Sequence, residues 1–330
     1  MTVPAQPVRP TTFFREIDRN RRNSILLVAI VVVVLAALGA AIGYATGFGW
    51  GGVIIAIVVA ALMSVGSYFA GDSLVLASSG AREVDPAAPP EAYKQLVNVV
   101  TEMRLASGLP MPRLYVIPDS APNAFATGRD PKHASVAATT GLLEKLDREE
   151  LQGVMAHEMS HVGNLDIRFA LLVGVLVGSI ALLSDWFLRF TFWGGGRGRD
   201  NDRGGGGGAA AILMVAALVL AIIAPLIGRA VQLAVSRSRE SLADVSAVEL
   251  TRNPLGLARA LQRISADPEV LEVANRATQH LYIVNPIKSF EKRASGLWET
   301  HPPVTERIRD LERIAGQMGL LGPDGSGGAR

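Results

Sequence analysis

The chain has 330 residues; 49% are hydrophobic, only 6% aromatic and 19% charged, and none is cysteine. Mean hydropathy is +0.29. A soluble domain of this length carries more charge, so part of the chain is expected in lipid. A formal net charge of +2 argues for no nucleic-acid partner. The missing cysteines exclude disulfides, zinc–thiolate sites and cysteine nucleophiles, so any metal must be held by His, Asp or Glu.

Residues 1–24 form a tail carrying Arg9, Arg15, Arg19, Arg21 and Arg22. Residues 25–71 predict a transmembrane hairpin. Its spans, Ile25–Tyr44 and Val53–Ala70, are each close to the ~20 residues a bilayer requires. The turn between them, Thr46-Gly-Phe-Gly-Trp-Gly-Gly52, is uncharged. Because Lys and Arg accumulate on the cytoplasmic side, both ends of the chain are expected there. Residues 72–168 then read as globular. Helical spacing covers Glu91–Ser107, Arg113–Ile117 is a short strand stopped by Pro118, and Asn123–Thr127 and His133–Thr139 are further strands around a Gly128–Pro131 turn.

Residues 169–233 predict a second hairpin, with spans Phe169–Leu188 and Ala209–Gly228. A low-complexity glycine-rich connector, Gly194–Gly208, joins them. Its Arg197, Arg199 and Arg203 run against the charge rule. Residues 234–321 return to globular character, with helices over Ser236–Leu250, Leu255–Ala266 and Val304–Gly316, and the glycine-rich tail 322–330 is expected to be disordered. The fold class is thus mainly α: four transmembrane helices plus an α+β domain with a small β-sheet.

The chemistry is concentrated in Asp147-Arg-Glu-Glu-Leu-Gln-Gly-Val-Met-Ala-His-Glu-Met-Ser-His-Val162. Asp147 followed by Glu150 is a capping-box start, so a helix begins here. His157 and His161 then share one helix face, one turn apart, where two imidazoles can hold one cation. Glu158 projects to the side, within reach of a water at that cation. A bare His-x-x-x-His pair is common. The full His-Glu-x-x-His pattern arises by chance in such a chain with a probability on the order of a few in a thousand. A catalytic zinc site needs a third protein ligand, and no further histidine follows closely. Glu240-Ser-Leu-Ala-Asp244 supplies a carboxylate pair on one helix face: Glu240 as third ligand, Asp244 to orient a ligand histidine through its second ring nitrogen. Two spans lie between His161 and Glu240, and an even number returns the chain to the side it left.

With these motifs the chain resembles the HtpX-like membrane zinc metalloproteases, gluzincins distantly related to the CaaX prenyl proteases. The resemblance is carried by Pro122-Asn-Ala-Phe-Ala-Thr-Gly128, Pro131-Lys-His-Ala134 through Thr139, Ala156-His-Glu-Met-Ser-His161, Ser238-Arg-Glu-Ser-Leu-Ala-Asp244, and His301-Pro-Pro303 followed by Arg307. It spans residues 20 to 315 or so. The extended N-terminus, the glycine-rich connector and the glycine-rich tail depart from it. The family implies a gluzincin-type domain on the cytoplasmic face of the inner (plasma) membrane, one zinc per chain, and cleavage of misfolded or damaged membrane proteins. It also makes Asn123 and His301 candidate contacts to substrate or transition state, and brings Arg307 near the site. Glu158 is the expected general base. A non-catalytic membrane scaffold is disfavoured because Glu158 is present. An intramembrane protease is disfavoured because Asp147, Arg148, Glu149 and Glu150 place the motif helix's start outside lipid.

Overall fold

The computed structural model describes residues 22–26, 28–30, 32, 33, 36, 49–172, 237–272, 281–284 and 303–320. The first long element is α1, Trp50–Ser78, which contains the expected span Val53–Ala70 but starts inside the expected turn and continues past Asp72. Its N-terminal two-thirds expose Trp50, Ile54, Ile55, Val58, Leu62, Val65 and Phe69, whereas Val75 and Leu76 near its end are buried. Counted over described residues alone, no helix is long and apolar enough to cross a membrane. Most of Ile25–Tyr44 and of Phe169–Leu188, all of Ala209–Gly228 and the glycine-rich connector and tail lie outside the described residues, so the four-span architecture rests on the sequence.

Four strands form one mixed sheet: β1 (Arg82–Val84), β2 (Arg113–Ile117), β3 (Ala124–Gly128) and β4 (Ala134–Thr139). Their order is β1-β2-β4-β3, with β2 and β4 parallel and the outer pairs antiparallel. β1 escaped the sequence reading because it is three residues long and shows no alternation. In β2, Leu114 and Val116 face one layer while Tyr115 and Ile117 face the other, as the two-residue period requires. Both faces are covered, so β3 and β4 are buried at every position.

On the first face lie α2 (Lys94–Ser107) and α4 (Arg148–Gly163), backed by α6 (Pro254–Ala266) and α7 (Val304–Gln317); α3 (Thr140–Lys145) is a short connector before α4. Leu96, Val100, Met103, Val136, Leu151, Met155, Leu261 and Leu311 share this core. On the second face, Tyr115, Ile117, Phe125 and Ala137 pack with Val75 and Leu76 of α1, Leu171 and Tyr282.

α4 is the centre of the domain, and its start is set as the sequence predicts. The Asp147 side chain accepts from Glu150 N–H, and the Glu150 carboxylate accepts from Asp147 N–H, a reciprocal capping box. Glu150 is fully buried and is held by Arg263 at 2.9 Å. A close crossing brings α6 against α4: a Cβ built on Gly153 would meet Leu257 N at 2.7 Å, so only glycine lets the backbones approach this far. Asn253 caps α6 through Gly256 N–H, with Pro254 at its first position.

Candidate metal centre

His157 and His161 lie on α4 as the four-residue spacing requires, with Nε2 of each 3.1 Å from the other. Facing them is α5, Arg237–Thr251, which brings Glu240 in from far along the chain. Its Oε2 is 3.7 Å from His157 Nε2 and its Oε1 is 3.7 Å from His161 Nε2. Tetrahedral coordination at ~2.0–2.1 Å puts ligand atoms ~3.3 Å apart, and these separations bracket that value. His157, His161 and Glu240 could together hold a metal ion, and two imidazoles with one carboxylate suit a borderline cation. His157 and Glu240 sit away from bulk water, 1% and 6% exposed, while the His161 side chain is 17% exposed.

Each ring is oriented by a carboxylate behind it. His157 Nδ1 lies 2.9 Å from Asp244 Oδ1, and His161 Nδ1 lies 2.9 Å from Asp166 Oδ2. Donation from both Nδ1 atoms leaves both Nε2 lone pairs aimed at the shared point. Asp244 is the second acid of the Glu240–Asp244 pair on α5. Asp166 was missed, because it stands five residues after His161, at the head of an expected span. Leu165 takes a left-handed turn with φ 59°, an uncommon choice for leucine, and this folds Asp166 back beside the ring. Arg239 of α5 approaches Asp166 at 3.8 Å and stacks on Phe169 at 5.0 Å.

Arg307, which the resemblance brings near the site, is a buried residue of α7. It is 3% exposed. Its Nε and Nη2 donate to the two Asp244 oxygens at 2.9 and 2.7 Å, Nη1 donates to Ile283 O at 3.0 Å, and Glu240 Oε2 is 3.4 Å away. Only a guanidinium fork can serve these acceptors together.

Burial, helped by the Glu240 carboxylate and opposed by His161 and a hydrogen bond from Ala126 N–H, pushes Glu158 up to about 7. Burial and the Arg307 cation lower His157, against Asp244. Burial would also lower His161, but Asp166, Glu240 and Glu158 outweigh it and push the ring up to about 9. Asp244 is raised by burial yet held below the ordinary carboxylate range by Arg307 and His157. The two imidazoles are thus pulled in opposite directions, and the carboxyl beside them is raised toward neutrality.

Asn123 stands at the head of β3, buried. Its Nδ2 donates to Val284 O at 2.9 Å and its Oδ1 accepts from Ala124 N–H at 3.0 Å. Ile283 N–H donates to Ala124 O at 3.0 Å, so a short piece of chain lies along the start of the outer β3 edge. Further along that edge, Ala126 N–H meets Glu158. His301 lies outside the described residues.

The chain is similar to known proteins along most of its length. Residues 90–315 match Peptidase family M48. A "Protease HtpX homolog" of Listeria monocytogenes serotype 4a (strain HCC23) is 42% identical over 306 residues, which cover 91% of this chain and 99% of that protein. A protein of the same description from Ligilactobacillus salivarius (strain UCC118) is 42% identical over 303 residues, again 91% and 99%. A crystal structure of S. mikatae Ste24p shows a more distant likeness, at TM-score 0.45 and 18% identity over 90% of this chain and 67% of that one. The chain therefore belongs to peptidase family M48, as a metalloprotease of HtpX-like sequence.

Proposed function

We propose that the chain is a membrane-anchored zinc endopeptidase that hydrolyses peptide bonds of misfolded or damaged membrane proteins. The observation that carries this reading is the meeting of His157, His161 and Glu240 from two helices, with Glu158 buried beside them. Its membrane part is supported by α1, which presents Trp50, Ile54, Ile55, Val58, Leu62, Val65 and Phe69 to its surroundings. An exposed apolar surface of that extent marks contact with lipid or with another protein. The arginines of the N-terminal tail favour a catalytic domain on the cytoplasmic face. Exposed Glu149 in the first turn of α4, paired with Arg259 at 2.7 Å, supports a site outside the hydrocarbon.

In this reading His157, His161 and Glu240 hold one zinc, and Asp244 and Asp166 fix the two rings. When bound, the cation supplies Lewis acidity, acidifying a water and drawing charge from a carbonyl oxygen. Glu158 accepts the proton of the attacking water as it adds to the scissile carbonyl, then returns it to the leaving amine. A carboxyl pushed up to about 7 is suited to both transfers. The substrate adds as an extended strand to the outer edge of β3 beyond Ala124, where the segment 283–284 ends its contact and no described strand pairs. Main-chain hydrogen bonds there give binding with little sequence preference. Asn123 commits one amide proton to Val284 O and keeps a second for a substrate carbonyl, while His301 is assigned to the developing oxyanion.

The test is Glu158→Gln in the full-length protein, with casein as substrate. Cleavage is expected to fall by at least ~10³-fold while zinc content stays at the parent level. Parental turnover by the variant would remove Glu158 from the mechanism.

A further inference from the structure

α1 is unbroken from Trp50 to Ser78, 29 residues, or ~43 Å at 1.5 Å per residue. Its first ~20 residues, among them exposed Trp50, Ile54, Ile55, Val58, Leu62, Val65 and Phe69, rise ~30 Å, which the membrane-anchored reading sets across the hydrocarbon layer. The same rod then becomes part of the catalytic domain without a hinge. Val75 and Leu76 are buried against Phe125 of β3 and Ile117 of β2. Asp72, the first charged residue after the apolar stretch, pairs with Arg113 of β2 at 2.6 Å.

At the same level Arg129, just past the end of β3, lays its guanidinium over two α1 rings, 5.2 Å from the Phe69 centroid and 6.0 Å from Tyr68. The carbonyl of Arg129 accepts from Arg168 Nε at 2.7 Å, and Arg168 belongs to the helical stretch 166–172 that leads toward the next apolar segment. A guanidinium stacked on aromatic faces where apolar side chains give way to charged ones fits the headgroup layer. The middle of the same strand is chemical: Ala126 N–H meets Glu158. From Ala126 to Arg129 is three residues, at most ~10 Å of extended chain.

We propose that α1 and β3 act together as a ruler. They fix the height of Glu158 above the bilayer, so that membrane-embedded substrates are cut in a narrow band of residues beside their point of exit, with Arg129 as the latch. The proposal rests on the reading of the chain as a membrane-anchored peptidase and adds a specificity to it: position relative to lipid rather than side-chain identity. A substrate leaving the bilayer in extended form, at ~3.3 Å per residue, reaches Glu158 after about three to six residues.

The experiment uses the full-length protein in vesicles with single-span substrates. Each span is followed by a repeating tripeptide cassette, so every register offers the same sequence, and cut sites are read by mass spectrometry. The expected result is a band of cuts anchored to the membrane boundary, which moves when the span is lengthened by one helical turn. In Arg129→Ala the band should at least double in width, while cleavage of soluble casein changes less than twofold. Phe69→Ala, which removes the same contact from the exposed helix side, should do likewise. Cuts scattered evenly along the cassette, or a band unaltered in both variants, overturn the ruler and leave the peptidase reading standing. Cleavage of casein alone, with no membrane substrate cut, overturns both the ruler and the membrane-substrate reading.

Discussion

Arg307 grips Asp244 by both carboxylate oxygens, at 2.9 and 2.7 Å, and Asp244 in turn lies 2.9 Å from the ring of His157. The pair is buried, so neither charge has water to fall back on. Arg307→Ala takes away the cation that balances the buried Asp244 charge, leaving it only the His157 ring, and is expected to destabilise the metal-free protein by about 3–5 kcal/mol. It also frees the His157 ring, which should weaken zinc binding by about 10–100-fold. Arg307→Lys keeps the charge but loses the fork, and should recover stability only in part. Thermal unfolding and zinc titration of the full-length protein check both effects, and unchanged values in the alanine variant would remove Arg307 from this role.

Asp166 makes a second prediction, because its task differs from that of a structural carboxylate. It orients His161 from 2.9 Å and is paired with Arg239 at 3.8 Å. Asp166→Asn keeps the shape but replaces the charged acceptor. Zinc affinity is expected to fall about 10–100-fold, with kcat of the fully zinc-loaded enzyme much less affected. A titration showing parental affinity would contradict the assignment.

Proton linkage gives a third. His161 is pushed up to about 9 in the cation-free state, above the ~6.5 of an unperturbed histidine. Its contribution to metal-free stability is therefore complete below ~6.5 and is lost as pH rises through about 9. Cation binding needs the neutral ring, so zinc uptake at pH 7 should release close to one proton from His161, and apparent affinity should rise about tenfold per pH unit below that value. Calorimetric titration in buffers of different ionisation enthalpy measures the released proton directly. Uptake without proton release would contradict the charge assigned to His161.

What the sequence made legible was local. The capping box of Asp147 and Glu150, the shared face of His157 and His161 and the i,i+4 pair Glu240 and Asp244 all follow from helical periodicity, and α4 and α5 present them so. β2, β3 and β4 came within a residue of their expected positions because apolar runs bounded by Pro and Gly mark them. Asp166 and Arg307 were not legible in these roles, since their burial is decided by partners 5 and 63 residues away. The parallel pairing of β2 with β4, with β3 outside, likewise depends on which faces α4 and α1 cover. The helix start at Trp50 was hidden by glycines that read as a turn. α1 runs past Asp72 because Arg113 holds that charge on the domain surface.

Gly153 makes a fourth prediction. A Cβ there would meet Leu257 N at 2.7 Å and Cα at 2.8 Å, both backbone atoms that cannot rotate aside. Gly153→Ala must push α6 from α4 and is expected to cost about 1–3 kcal/mol, despite the better helix propensity of alanine. A lowered midpoint in thermal unfolding checks it, and a stabilised variant would show that the crossing is looser.

The most direct measurement of the central claim is zinc stoichiometry with X-ray absorption on the purified full-length protein, repeated for Glu240→Ala. One zinc per chain is expected, with two imidazole nitrogens and a carboxylate oxygen among its neighbours at ~2.0–2.2 Å, and the oxygen contribution should drop, with weakened binding, in the variant. An unchanged metal content and an unchanged spectrum in Glu240→Ala would contradict a centre built by α4 and α5 together.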